Sequence, residues 1–317
     1  MTAPHDRSSL LPAALRGIEA VLAADAESCA LEVDGSTPDP FQGLAERHPG
    51  RAFSVEPDET GPLRRAAELA ANGRTVIVAG AAADLLGPAY RRLRDGLGRA
   101  RLRVKILGWH EGVPVGAAEG PYALVEDIGV ARGVPGLTVA VPADGPSAEA
   151  AVRAVATTDG PAYVRLTRTP LPTVTREPFR LGHAPVVRDG ADLGVVAVGA
   201  MVARSLEVAG ELARVGVSLR VLDLASVKPF DQGAVLRAAR DTGALLVAEE
   251  HSVATGIGSL VAAVTAENYP VPVRRVGLPD VLGTPTPGGE TSVGLALSIG
   301  RMTEEAWELL RVRGKVE

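Results

Sequence analysis

Apolar positions along the chain recur at two spacings, and the two alternate. Leu11, Leu15, Ile18 and Leu22 fall on one face at helical period and predict a helix within residues 10–27. Cys29 to Val33 then reads as a short strand, and Phe41 to Arg47 as a short helix. Leu63 to Ala71 is an amphipathic helix stopped by Asn72-Gly73. Thr75 to Val78 is an unbroken apolar run of buried-strand type, Leu85 to Leu97 is helical, and Val104 to Leu107 is the next strand. A Gly- and Pro-rich loop over 108–121 precedes a helix near Leu124 to Ala131, a strand at Leu137 to Val141, a helix at Ser147 to Ala156 and a strand at Ala162 to Leu166. The second half repeats this alternation. Strands are predicted at Leu193 to Val198, Leu219 to Asp223, Ala244 to Ala248 and Val271 to Val276. Helices are predicted at Val202 to Arg214, Gln232 to Arg240, Ile257 to Glu267 and Thr303 to Arg311.

Strand and helix in steady alternation predict an α/β fold of two domains, each a mostly parallel sheet flanked by helices. The stretch Thr169 to His183 carries three prolines and no period, so it reads as the connection. The predicted division is residues 1–170, a linker over 171–186, and residues 187–317. A length of 317 residues agrees with two domains of about 150 each. No repeat of 20–50 residues is present, which excludes a solenoid.

Composition narrows the classes. Aromatic residues are 3% of the chain, so the cores must be built from Ala, Val and Leu. The formal net charge of −5 lacks the basic footprint of nucleic-acid binding. The lone Cys29 has no partner for an intrachain disulfide and no companions for a zinc site; it reads as a structural thiol. Residues 1–9 hold no apolar stretch of secretory type, and no apolar run reaches the ~18 residues of a membrane span. The expectation is a soluble, cytoplasmic protein with neither membrane nor nucleic-acid partner.

Local motifs leave alternatives open. There is no P-loop, HExxH or CxxC. Gly256 and Gly258 lack the third glycine of a dinucleotide fingerprint; they read either as a loop entering a helix or as a helix N-terminus facing an anion or partner. His251 follows Glu249-Glu250 at the carboxyl end of a predicted strand, where open α/β sheets place ligands, and an adjacent carboxylate would raise its pKa. An ordinary loop histidine fits equally well. His110 occupies the same topological place after the strand ending at Leu107. Glu59 precedes a helix, so it reads either as a charge complementing the helix dipole or as an acid–base group.

Longer runs carry a resemblance. Phe53-Ser54-Val55-Glu56-Pro57-Asp58-Glu59, with the helix that ends at Gly73, resembles the transketolase segment holding the cofactor-activating glutamate. Glu126-Asp127-Ile128 followed by Val134 to Asp144 is similar to the family's "EDI…P-x-x-T-V-x-x-P-A-D". Pro161 to Arg168 is similar to the strand ending in its phosphate-binding arginine. Val227-Lys228-Pro229-Phe230-Asp231, Glu249-Glu250-His251 and Gly256-Ile257-Gly258 resemble its C-terminal domain. The likeness runs from about residue 10 to 313.

The resemblance implies a thiamine diphosphate enzyme whose residues 1–170 bind the cofactor's pyrimidine and whose residues 187–317 are the C-terminal domain. The diphosphate domain's Gly-Asp-Gly followed by Asn is not in the sequence. A partner polypeptide is therefore expected to supply that domain and the Mg²⁺ ligands, with no metal ligand from this chain, in an α2β2 assembly. Carried over residue by residue, Glu59 and His110 are the catalytic residues, and His110, Arg168 and Glu119 the substrate and phosphate contacts. Glu59 and Leu85 would touch the cofactor, and His251 is a further candidate. Two departures stand out. The family's pyrimidine-stacking aromatic falls in Ala79-Gly80-Ala81-Ala82-Ala83-Asp84, which has none, leaving Leu85 or Leu86 for apolar contact. The family's Asp-Gly-Pro is Glu119-Gly120-Pro121, and its next substrate histidine is Ala123. The implied activity is transfer of a two-carbon ketol unit between sugars, which are expected to be phosphorylated. Two other readings fit the same architecture: the β subunit of a 2-oxoacid dehydrogenase or decarboxylase, and a scaffold subunit without turnover.

Overall fold

The computed structural model describes residues 7–33, 41–55, 61–110, 125–167, 169–279 and 296–315, without the side chains of residues 7, 8 and 110. Strand β1 (Arg7–Ser8) leads into helix α1 (Leu10–Ala24), whose N-cap Ser9 accepts the Leu11 N–H at 3.3 Å. Leu10, Ala14, Ile18 and Leu22 form its buried stripe. The first domain continues with β2 (Cys29–Val33), α2 (Gln42–Arg47), β3 (Ala52–Val55), α3 (Gly61–Ala70), β4 (Val76–Ala81) and α4 (Ala82–Leu86). A π-helical segment (Arg92–Gly98), β5 (Val104–His110), α5 (Asp127–Gly133), β6 (Thr138–Ala140), α6 (Gly145–Ala156) and β7 (Ala162–Thr167) complete it. The single helix expected over 85–97 is broken. Gly87-Pro88 interrupts it because proline has no N–H to donate and its ring clashes with the preceding turn.

The remainder comprises β8 (Leu171–Pro172), β9 (Val186–Arg188), β10 (Leu193–Ala197), α7 (Met201–Ala213), β11 (Leu219–Asp223) and β12 (Ser226–Lys228). It ends with α8 (Gln232–Thr242), β13 (Leu245–Ser252), α9 (Ile257–Asn268), β14 (Val273–Leu278) and α10 (Ile299–Val312). Within the stretch read as a connection, β8 pairs antiparallel with β1.

Two sheets carry the fold. The first has the order β12-β6-β7-β5-β4-β2-β3, and the second β14-β13-β10-β11-β9. All pairings in the first are parallel except β12 on β6; all in the second are parallel except β9 on β11. The fold is thus the expected pair of mostly parallel α/β sheets, with one addition: β12 comes from the second half of the chain and extends the first sheet. Lys228 within it donates to the carbonyls of Arg132 and Val134 at 3.1 and 2.7 Å.

The domains share a core. One continuous apolar cluster joins Val139, Val141 and Tyr163 to Val196, Leu222, Leu224, Val235 and Ile257. Asp144 fixes the same seam. As N-cap of α6 it accepts the Ser147 N–H at 2.9 Å, and it also accepts the N–H groups of Val174 and Thr175 at 2.8 and 2.7 Å. One carboxylate thereby starts a helix and ties down the connection between domains. Cys29 is buried in β2 and burial pushes its thiol pKa up, as befits a structural thiol.

Candidate active site

In parallel α/β sheets the ligand end is the carboxyl end of the strands. There the first sheet brings together the ends of β4, β5 and β7, with His110 paired in register to Thr167 and Trp109 to Ala81. Glu59, Glu119 and Arg168 lie outside the described residues, and of His110 only the backbone, the last position of β5, is described.

Leu85 is 1% exposed and packs in the core with Val33, Leu63 and Val78. Leu86 is buried as well. The surface at this turn belongs to the half-buried Ala81 and Ala83 and the exposed Asp84. Helical period explains this: Leu85 and Leu86 follow Ala82 onto the inward face of α4.

His251 is not a loop residue but lies inside β13, buried, its imidazole against the first domain. Its Nε2 accepts the Gly129 N–H at 3.1 Å, and its Nδ1 donates to the Ser252 carbonyl at 3.0 Å. Both ring nitrogens are engaged, which leaves neither for a ligand and requires the neutral ring. Burial lowers its pKa and outweighs the raising effect of Asp127, the reverse of the sequence expectation.

Around it lies a buried polar cluster that joins the two domains. The Tyr163 hydroxyl donates to Asp127 Oδ2 at 2.6 Å, and the Arg165 Nε stands 3.3 Å from the same oxygen. Arg165 Nη1 donates to the Glu250 carbonyl at 2.8 Å, while its Nη2 lies 4.0 Å from the Glu250 carboxylate. Burial opposes the Arg165 charge, but Asp127 and Glu250 hold its pKa above the usual value. Gly129 permits the close approach, since a Cβ there would stand 2.5 Å from Thr255 Oγ1.

The helix N-terminus at Gly256-Ile257-Gly258 already has its anion. Glu249, buried, accepts the N–H of Ile257 at 2.6 Å and of Gly258 at 3.0 Å. Arg132 crosses from the first domain to donate to the carbonyls of Thr255 and Gly256 at 2.8 and 2.6 Å. Burial pushes Glu249 up to about 7 despite these partners.

Asp223, at the carboxyl end of β11, is buried with no hydrogen-bond partner on Oδ1, and burial together with Asp144 pushes it up to about 8. Between the ordinary value of 3.8 and about 8 the folded state holds a proton that the unfolded state has lost. Stability therefore falls as pH rises through this window. Denaturant unfolding from pH 5 to 8 should show that decline, with a shallower slope in Asp223→Asn; an identical slope would contradict it. Glu249 adds to the decline below about 7.

The sequence reading missed Asp127, Tyr163 and Arg165 as a unit. Charged and hydroxylated residues inside an apolar strand, at 163 and 165, were the available signal. Among the described residues no group of three or more His, Cys, Asp or Glu side chains could hold a metal, and no helix is long and apolar enough to cross a membrane.

Two mostly parallel α/β sheets that share a core define a two-domain α/β protein. Comparison makes this specific. Residues 13–173 match the family described as "Transketolase, pyrimidine binding domain" and residues 182–296 match "Transketolase, C-terminal domain". The chain belongs to the transketolase family. It is 38% identical over 260 residues to the "6-deoxy-6-sulfo-D-fructose transketolase subunit SqwH" of Clostridium sp. (strain MSTE9), covering 80% of each chain. It is 36% identical over 217 residues to an apulose-4-phosphate transketolase subunit of Phocaeicola vulgatus, covering 68% of this chain and 69% of that one. A solved structure, "Split gene transketolase, inactive beta4 tetramer", superposes with a TM-score of 0.87 at 32% identity, covering 96% of this chain and 99% of that chain. A transketolase from Pichia stipitis shares the fold at a TM-score of 0.75 and 16% identity, with 47% of its length covered.

The family's cofactor is thiamine diphosphate. At the β4–α4 turn, Ala81 and Ala83 are half-buried small residues, and no aromatic side chain stands there to contribute stacking on a pyrimidine.

Proposed function

We propose that the chain is the pyrimidine-binding subunit of a two-component, thiamine diphosphate-dependent transketolase moving a two-carbon ketol unit between phosphorylated sugars. The observation that carries this reading is the match along both domains to relatives named as transketolase subunits. Residues 1–170 are the pyrimidine domain, 171–186 the linker and 187–317 the C-terminal domain. A second polypeptide supplies the diphosphate site and the Mg²⁺ ligands, in a cytoplasmic α2β2 enzyme. The chemistry that thiamine diphosphate supplies when bound is a nucleophilic carbon and an electron sink. On this chain, Glu59 holds a proton at the pyrimidine ring nitrogen, and Ala81 and Ala83 carry the ring. His110 and Arg168 grip the substrate phosphate, and His110 also serves the reacting end. Glu119 reads a sugar hydroxyl.

The charge of the cofactor lies on its diphosphate, so the chain alone should bind thiamine diphosphate weakly or not at all. Calorimetry with and without the partner subunit tests the reading: tight Mg²⁺-dependent binding to this chain alone would refute the two-component assignment. Mass photometry should give a homo-oligomer for the chain alone, as in the tetrameric relative, and a heterotetramer on mixing. Arg168→Ala should raise KM for phosphorylated substrates about 10–100-fold, the loss expected of paired charge-assisted hydrogen bonds. Steady-state kinetics that leave KM unchanged would remove the phosphate assignment alone.

A further inference from the structure

We infer that the cavity beside the last turns of α1 and α6 is a further binding site on this chain, for a small ligand bearing a carboxylate or phosphate group. The inference stands apart from the proposed function and concerns the opposite edge of the first sheet.

The cavity measures about 550 Å³, a size that suits a small metabolite. Thr75 and Arg103, the residues that precede β4 and β5, line it together with Val21, Ala24, Asp25 and Arg153. It therefore lies at the amino edge of the sheet, while the carboxyl ends of the same strands form the ligand edge. Sheet pairing fixes both residues. The Cys29 N–H donates to the Thr75 carbonyl at 3.0 Å, and the Val76 N–H to the Arg103 carbonyl at 2.9 Å. Groups held in this way need little ordering when a ligand arrives.

The carbonyls around the cavity are answered from within the chain. Arg51 Nη2 donates to the Leu22 and Asp25 carbonyls at the end of α1. Arg103 Nη2 donates to the Ala156 carbonyl at 3.4 Å, and Lys105 Nζ to those of Thr158 and Gly160 at 2.7 and 2.6 Å. Asp25 Oδ1 accepts the Glu27 N–H at 3.0 Å. Donors, by contrast, are left over. Thr75 is 2% exposed and its hydroxyl has no partner, and Arg103 Nε is buried without one. Neither Arg103 nor Arg153 has an ion-pair partner among the described residues. Two guanidinium groups thus line the cavity against the one carboxylate of Asp25. An oxyanion is the ligand whose lone pairs match these spare N–H and O–H groups.

Lys105 reports the same excess of positive charge. It is 1% exposed in β5, and burial together with the neighbouring Arg103 pushes it down to about 7, against the weaker pull of Asp159. An anion seated on Arg103 cancels that repulsion, so ligand binding should draw a proton onto Lys105.

The test is calorimetric titration of the full chain, just above neutral pH, with inorganic phosphate and separately with succinate. Saturable binding of either probe supports the site, and the tighter of the two names the oxyanion class. Arg103→Met and Arg153→Met should each weaken it about tenfold, the loss expected of one charge-assisted hydrogen bond. Thr75→Val, which keeps the shape and removes the hydroxyl, should weaken it by a smaller factor. Arg168→Ala should leave it unchanged, so this site and the phosphate assignment of the proposed function are tested separately. Titration in two buffers of different ionisation enthalpy should show a fraction of a proton taken up on binding. If Arg103→Met does not fold, Arg153→Met and Thr75→Val carry the test. The absence of saturable binding by either probe would overturn the inference. So would binding that Arg153→Met and Thr75→Val leave intact, that Arg168→Ala abolishes, or that takes up no proton.

Discussion

Glu59→Gln in the reconstituted complex should lower kcat by about 10²–10⁴-fold, with substrate KM nearly unchanged. Gln keeps the shape and a hydrogen bond but cannot share a proton with the pyrimidine ring nitrogen. The step it slows is proton movement, not substrate binding. A carboxyl group suits that task where burial raises its pKa toward neutrality, so that it changes charge near the working pH. Cofactor binding measured by calorimetry should survive, because a neutral amide still contacts the ring. Steady-state kinetics with saturating cofactor give the answer. Turnover near wild type would remove Glu59 from the chemistry and favour the scaffold reading, in which this chain holds a fold without performing a step.

The parts of the fold legible in the sequence are those set by local pattern. Cys29–Val33 and Leu219–Asp223 are strands at the residues expected, because a short, mostly apolar stretch with Val and Leu bounded by turn residues has few other uses. Helix α6 also lies where its period placed it, started by Asp144. What the sequence hid depends on partners far along the chain. Ser226–Lys228 is too short to read as a strand, and it becomes one only because β6 of the other domain lies beside it. Ala52–Val55 is likewise an edge strand with two partly exposed positions, so its apolar signal is weak. At the β4–α4 turn, the burial of Leu85 and Leu86 depends on the rotation of α4, which a five-residue helix does not announce in its sequence. His251 looked like a strand-end base; its burial against Gly129 and Ser252, 122 residues and one residue away, makes it a neutral pin. The Glu249 closure over α9 is of the same kind. Eight and nine residues separate acceptor from donors, and no period announces them.

That closure carries the largest expected effect on stability. Gly256→Ala should destabilise the chain by about 3 kcal/mol, the loss of two hydrogen bonds to a buried charged group. A Cβ at 256 would fall inside contact distance of Glu249 Oε2, so the carboxylate has to leave the Ile257 and Gly258 N–H groups. It has nowhere else to go. Glu249 is fully buried, and beyond those two groups the nearby charges are Arg132 and Arg275, which already donate to the Thr255, Gly256 and Val253 carbonyls. Moving the carboxylate thus leaves a buried acid without its two hydrogen-bond donors. The backbone at 256 is extended, so strain is not the cause. A double-mutant cycle isolates the effect. In a Glu249→Ala background the space is empty, and Gly256→Ala should then cost at least about 1 kcal/mol less than it does alone. Denaturant unfolding of the four proteins measures this. If the two substitutions are instead simply additive, the glycine is not there to admit the carboxylate, and the Glu249 closure does not explain the Gly256-Ile257-Gly258 motif.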